Sequence, residues 1–332
     1  MSRMRTPFVL SFACLAWAST PNLSVADEGG VSFWLPGQYG SLAAVPATPG
    51  WSFAGIYYHT SVSASGSANL AIGGMIQAGL DARADLIVLN ATYVSPMPVL
   101  GGQAAFGLTG LAGRARTSVA ATLTGPGGGV LSGSRTDTLT GIGDLYPTAT
   151  LKWNRGVHNY MTYLSGDIPV GAYSTSRLAN LGIGHGAIDG GVGYTYFDPH
   201  KGHEFSLVTG LTYNFENTHT NYQNGIDWHL DWAASQFLSK QVHVGLVGYL
   251  YNQITGDSGS GATLGGFHSR VAGVGPQIGY IFPVGEKWQG YLNLKGYWEF
   301  AAQHRPEGWN AWLTLAISPA APHQPAQPMV AK

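Results

Sequence analysis

The stretch that most constrains this chain is GIDWHLDWAA at 225–234. Ile226, Trp228, Leu230, Trp232 and Ala234 share one parity, and Asp227, His229 and Asp231 share the other. A period of two means a strand with one apolar and one polar face. The pattern recurs in WQGYLNLKGYWEF, where Trp288, Leu292, Leu294, Trp298 and Phe300 oppose Gln289, Tyr291, Asn293, Lys295, Tyr297 and Glu299. It recurs again in HEFSLVTGLTYNF, with Phe205, Leu207, Leu211 and Tyr213 against Glu204, Ser206, Thr212 and Asn214. In WNAWLTLAI, Trp309, Leu313, Leu315 and Ile317 oppose Asn310, Trp312 and Thr314.

Such strands need something apolar on one side, and the composition narrows what that is. Only 10% of the 332 residues are charged, against roughly 25% in an ordinary soluble domain. Near the N-terminus, Arg3 and Arg5 precede the apolar run PFVLSFACLAWA, and Ser24 and Ala26 are small residues placed for cleavage before Asp27. Residues 1–26 therefore read as a secretory signal. The single cysteine, Cys14, lies within it, so the exported chain has no disulfide. Without Arg3 and Arg5, 14 of the 16 basic residues face 17 acidic ones, a formal charge of −3, and no basic run points to nucleic acid. No later segment has the 18 or more uncharged apolar residues of a spanning helix, so any crossing of a bilayer is made by strands.

Twelve strands are expected, at 50–60, 84–95, 103–120, 142–154, 157–170, 187–197, 203–216, 225–238, 242–254, 269–282, 287–301 and 308–318. Fourteen is the alternative count, because 68–80 could add a strand and 103–120 could split. Short links such as RG at 155–156 and SKQ at 239–241 alternate with long ones at 61–83, 121–141, 171–186, 217–224 and 255–268. That asymmetry belongs to outer-membrane barrels, in which every backbone group is paired and no edge is left. The expectation is an all-β, transmembrane, antiparallel up-and-down β-barrel over 50–318 in a bacterial outer membrane, preceded by a segment at 27–49 and followed by a periplasmic tail at 319–332. Its surroundings would be outer-membrane lipid and lipopolysaccharide, and the barrel-assembly machinery would insert it. A secreted β-sandwich or a lipocalin-like barrel shares the alternation with the apolar parity turned inward. Against both stand the Tyr and charge on the polar parity and the Trp on the other.

The motifs EGGVSFWLPGQYGSLAAVPATPGW (28–51), GIGDLYPTATLKW (141–153), DIPVGAY (167–173), LGIGHGAIDGGVGYTY (181–196), NTHTNYQNG (217–225), YLYNQITGDSG (249–259) and RVAGVGPQIGY (270–280) span nearly all of the exported chain. Together they resemble the MetA-pathway of phenol degradation family. The resemblance implies an outer-membrane barrel, encoded near aromatic-degradation enzymes, that admits hydrophobic or aromatic compounds. It supports the fold more strongly than the cargo. One departure is the ending: many barrels finish on an aromatic residue, whereas Ile317 here is followed by SPAAPHQPAQPMVAK.

Candidate functional residues follow from parity. Glu204, Asp227, His229, Asp231, Tyr291, Asn293, Lys295, Tyr297 and Glu299 are expected in the lumen, either as a transverse field that sorts solutes or as pairs that hold a narrow interior closed. In 27–49, Pro and Gly forbid a long regular element, while Trp34 and Tyr39 are costly to leave in water. The segment either plugs the lumen or packs across the periplasmic mouth. Metal, cofactor and catalytic roles are not expected. His200 and His203 lack a third ligand at a recognised spacing, and Ser258 in GDSG has no patterned His and Asp partners. Passive uptake of small hydrophobic or aromatic solutes is the leading function, with a structural or adhesive barrel of sealed lumen next and a barrel hydrolase a distant third.

Overall fold

The computed structural model describes residues 32–69, 75–262 and 266–321. The expected signal segment at 1–26 and most of the expected tail lie outside them. Twelve strands follow one another: β1 (Gly50–Asn69), β2 (Met75–Val99), β3 (Gly102–Thr124), β4 (Val130–Arg155), β5 (His158–Asp167), β6 (Ala187–Asp198), β7 (His203–Asn214), β8 (Asp227–Phe237), β9 (Val242–Gln253), β10 (Arg270–Val284), β11 (Trp288–Gln303) and β12 (Glu307–Pro319). Each pairs antiparallel with its sequence neighbour, and β1 pairs with β12, closing the all-β barrel. Among the described residues no helix is long and apolar enough to cross a membrane.

The alternation becomes an inside and an outside. On β8, Asp227, His229 and Asp231 are buried while Trp228, Leu230 and Trp232 face outward. On β11, Asn293, Lys295, Tyr297 and Glu299 are buried, and Leu292, Leu294, Trp298 and Phe300 are exposed. Such an outward band of Leu, Ile, Val and aromatic side chains would be prohibitive in water and suits hydrocarbon.

Short turns join the strands at the end where the chain enters and leaves the barrel. Between β2 and β3, Leu100 (φ 49°) and Gly101 (φ 72°) both adopt the left-handed region, as a two-residue hairpin turn of matching twist requires. The longer connections all lie at the opposite, loop end.

Four expected boundaries are wrong in the same direction. The sequence pattern ends β1 at 60 and starts β2 at 84, with a loop at 61–83, yet pairing continues from Ser61↔Arg83 to Asn69↔Met75. It likewise leaves 121–141 as a loop, where β3 and β4 stay in register from Gly113↔Gly141 to Thr124↔Val130. Within 68–80, the described residues 68–69 and 75–80 therefore extend two strands rather than adding one, 103–120 does not split, and the barrel closes with twelve strands rather than fourteen. The cause is that these extensions rise beyond the apolar band with both faces wet. Gly, Ser, Thr and Ala pair there without displaying any apolar parity, as where Ser118 Oγ meets Thr136 Oγ1 at 2.9 Å. In the other direction, β5 ends at Asp167 rather than 170, and β8 starts at Asp227 rather than 225.

The remaining loops fold inward. The β3–β4 ladder shifts register between Gly110 and Ala112, inserting Gly143 and Asp144 opposite Leu111. The bulge turns Asp144 into the protein, where its carboxylate accepts the Gly171 N–H at 2.7 Å and the Ile183 N–H at 2.8 Å. Loop 168–186 is thus held against β4, with a further ion pair at 3.1 Å between Arg177 and Asp137. Loops 215–226 and 254–269 are joined by a bridge between Gln223 and Ser258 and by the Tyr222 hydroxyl donating to Asp257 at 2.6 Å.

Candidate functional site

The interior begins with the problem set by residues 32–49. They form no regular element, so their backbone groups need partners from elsewhere. Lumen side chains supply them. Asp231 accepts the N–H groups of Gly37 at 2.9 Å and Tyr39 at 3.1 Å. Lys295 Nζ donates to the carbonyls of Gly37 at 2.6 Å, Gln38 at 3.1 Å and Tyr39 at 3.2 Å, and the Tyr297 hydroxyl adds a bond to Gly37 O at 3.1 Å. Glu204 accepts from Ser41 Oγ at 2.7 Å and from Leu42 N at 2.9 Å. Across the barrel, Lys152 Nζ donates to Ala43 O at 2.7 Å, while Gln103 exchanges two bonds with Ala47 at 2.8 and 2.6 Å.

Gly37 is the closest approach in this arrangement. Its φ is 85°, and a Cβ there would stand 2.8 Å from the Tyr297 ring, so no other residue fits without displacing it. Three residues earlier, Trp34 is 2% exposed and stacks on His229 with ring centroids 3.5 Å apart. His229 Nε2 lies 2.8 Å from Asp189 Oδ2, which also accepts from Thr212 Oγ1 at 2.6 Å. The phenol of Tyr39 is pushed well above its ordinary pKa by burial, and further by Asp189 and Asp231, so it stays neutral.

Four of the nine parity-nominated side chains therefore hydrogen-bond the N-terminal segment: Glu204, Asp231, Lys295 and Tyr297. His229 meets it by stacking. The others bond elsewhere. Asp227 accepts from Asn214 at 2.9 Å, Tyr291 lies 3.1 Å from His243, Asn293 donates to Ile278 O at 3.1 Å, and Glu299 accepts from Tyr249 at 2.7 Å and Gly308 N at 2.9 Å.

Empty space lies on the other wall. An outer cavity of about 160 Å³ sits toward the loop end, among Tyr58, Leu86, Ala115, Leu181 and Ile183. An inner cavity of about 460 Å³ sits toward the turn end, among Ile56, Asn90, Thr109, Thr150 and Lys152. Leu35, Leu111 and Tyr146 border both. Of the residues nominated from sequence, only Glu299 borders the outer cavity and only Tyr39 the inner one. Parity places Tyr58, Lys152 and Trp312 inward, and that signal could have found them. Leu35, Leu181 and Ile183, outside the strands, carry no such signal.

His200 and His203 are exposed, and among the described residues no group of three His, Cys, Asp or Glu side chains is placed to hold a metal. Ser258 is engaged through its backbone in the bridge to Gln223.

A family model described as "Putative MetA-pathway of phenol degradation" matches residues 43–315. The chain belongs to that family. A search of curated proteins found no match. Among solved structures, a crystal structure of an outer membrane channel from Pseudomonas putida F1 is similar over 82% of this chain and 97% of its own, with 14% identity and a TM-score of 0.61. At that identity the likeness shows the fold alone, a closed β-barrel. A Pseudomonas aeruginosa FadL homologue covers 80% of this chain and 89% of its own at 7% identity, with a TM-score of 0.36, too low to bear on the fold.

Proposed function

We propose that this member of the phenol-degradation family is an outer-membrane channel for passive uptake of small hydrophobic or aromatic compounds, driven by the solute's own gradient. The observation that carries the reading is the pair of cavities meeting at Leu35, Leu111 and Tyr146. An apolar solute would enter the outer cavity from the loop end, pass that constriction, and reach the inner cavity, whose Asn, Thr and Lys lining begins to restore contact with water. Sites of this kind, mostly apolar with a few convergent polar groups, are what small uncharged ligands occupy. In this reading residues 27–49 act as a partial plug that leaves the β1–β4 side open and directs the solute along it. Residues 1–26 serve export, and the tail that follows β12 belongs to the periplasmic side.

The test is uptake of radiolabelled toluene into vesicles carrying the refolded protein, alongside planar-bilayer conductance with and without phenol. Uptake above that of protein-free vesicles, lowered in a heat-modifiable Leu35→Trp variant, supports the path. Equal uptake with and without the protein refutes it.

The hydrogen bonding of residues 37–47 across the lumen favours a second reading, a structural or adhesive barrel with a sealed interior. Deleting 27–49 separates the two. A plug that only narrows the path yields higher conductance and faster uptake on deletion from a working baseline. A seal yields conductance only after deletion.

A further inference from the structure

The outer face of β1–β3 carries a charge pattern that uptake through the lumen does not use. Along β2 the outward positions run Tyr93, Ala91, Leu89 and Ile87, and then Asp85, Arg83 and Asp81 with no break in register. On β3, Phe106, Leu108 and Ala112 lead in the same way to Arg114 and Arg116. The register sets Arg83 directly opposite Arg116 and Asp85 opposite Arg114. Like charges directly opposite one another destabilise a sheet, so an Arg–Arg pair calls for an anion.

The protein's own acids do not supply it. Asp85 Oδ1 is taken by the Tyr57 hydroxyl at 2.6 Å and His59 Nδ1 at 2.7 Å. Asp81 lies opposite Ser118, and Glu307 lies opposite Ser63. Among the described residues the close ion pairs are those of His59, Arg177, Lys201 and His229; Arg114 feels the charge of Asp85 opposite it, while Arg83 and Arg116 take part in none of these pairs. Across from Arg114 and Arg116, β4 presents the uncharged Thr140 and Thr138, with Thr136 in the next row up. The arginines are confined to the rows adjoining the apolar band.

Their height identifies the anion. The band starts near the turn end at Trp51 and Tyr93, whose rings lie 5.3 Å apart. From Tyr93 to Arg83 the strand advances about 34 Å at ~3.4 Å per residue. With a tilt of roughly 40° this is about 26 Å of height, close to the ~25 Å of an outer-membrane apolar band. The guanidinium groups therefore stand where the phosphates of the outer leaflet lie.

We propose that Arg83, Arg114 and Arg116 form a binding site for the phosphate groups of an outer-leaflet phosphorylated glycolipid, lipopolysaccharide, whose acyl chains run beside Ile87, Leu89 and Leu108. Guanidinium forks match phosphate oxygens in paired hydrogen bonds, and an anion shared between Arg83 and Arg116 turns their repulsion into a bridge.

The test measures thermal unfolding of the full exported chain in neutral detergent with lipopolysaccharide, with the same lipid dephosphorylated, and with inorganic phosphate. The wild type is expected to gain unfolding temperature with the phosphorylated lipid only. In R83Q/R116Q that gain is expected to fall at least about twofold, as loss of a ligand selective for the folded state requires. The variant must migrate as a heat-modifiable barrel. Its lipid-free unfolding temperature is expected to equal or exceed the wild type's, because a repulsion has been removed. An equal gain in the variant, or an equal gain from dephosphorylated lipid, overturns the site. A full gain from inorganic phosphate alone overturns the lipid and leaves a simple anion site.

Discussion

On the wall built by β7, β8 and β11, the inward side chains Glu204, Asp231 and Lys295 are committed to backbone atoms of the N-terminal segment. On the wall built by β1–β4, the inward Ala84, Leu86, Val88 and Ala115 border empty space, while Lys152 and Gln103 reach the segment near the turn end. The charged wall looks like a selectivity filter in the sequence but works as an adhesive. The β1–β4 wall is the one that borders open space. In a barrel this narrow, charge inside is a means of burying irregular backbone, and the remaining room is left by residues small enough to stay out of the way.

Removing the adhesive breaks the comparison most directly. Asp231→Ala orphans two N–H groups and leaves Lys295 buried without its counter-charge. Loss of one member of a buried charged set costs about 3–5 kcal/mol, so the urea midpoint of the refolded barrel should drop accordingly while single-channel conductance rises. A smaller cost is expected on the outside of the same wall. Leu230→Arg should lose about 2–4 kcal/mol near the midplane, whereas Asp227→Asn, one parity away at the loop end, should change folding stability far less in the same titration.

The open wall has its own sensitive point at the bulge. A Cβ on Gly143 would clash with Leu111 Cδ1 and lie 2.7 Å from Leu181 O. Gly143→Ala should therefore cost about 1–3 kcal/mol by overpacking, and by pushing Leu111 into the constriction it should slow toluene uptake. The smallest effect belongs to the projecting part of that wall. Ser118→Ala removes a solvent-exposed hydroxyl contact and should shift stability by no more than about 0.5 kcal/mol, with uptake unchanged in the same assay.

The legibility of the fold divides along these lines. β7, β8, β11 and β12 were readable because lipid on one face forces Leu, Trp and Phe onto a single parity. The upper parts of β1–β4 were not, because water on both faces removes the apolar signal while the backbone still pairs. For the site, parity told that Asp231 and Lys295 point inward but could not tell whether they meet water, solute or chain. That depends on residues 37–39, which lie more than 190 positions away from Asp231 in sequence. Leu35 and Leu111 look like any other leucine; only the meeting of a bulged ladder with an irregular segment sets them at a constriction.

The bonds from Gly37 to Lys295, separated by 258 positions, also impose an order of events on assembly. The segment precedes every strand in the chain, yet its partners stand on β7, β8 and β11, and the lumen that receives it exists only once β1 meets β12. Contacts so distant in sequence form slowly, because the chain between them must first be organised. Docking of the segment is accordingly expected to follow closure of the barrel, so that the lumen is walled before it is filled.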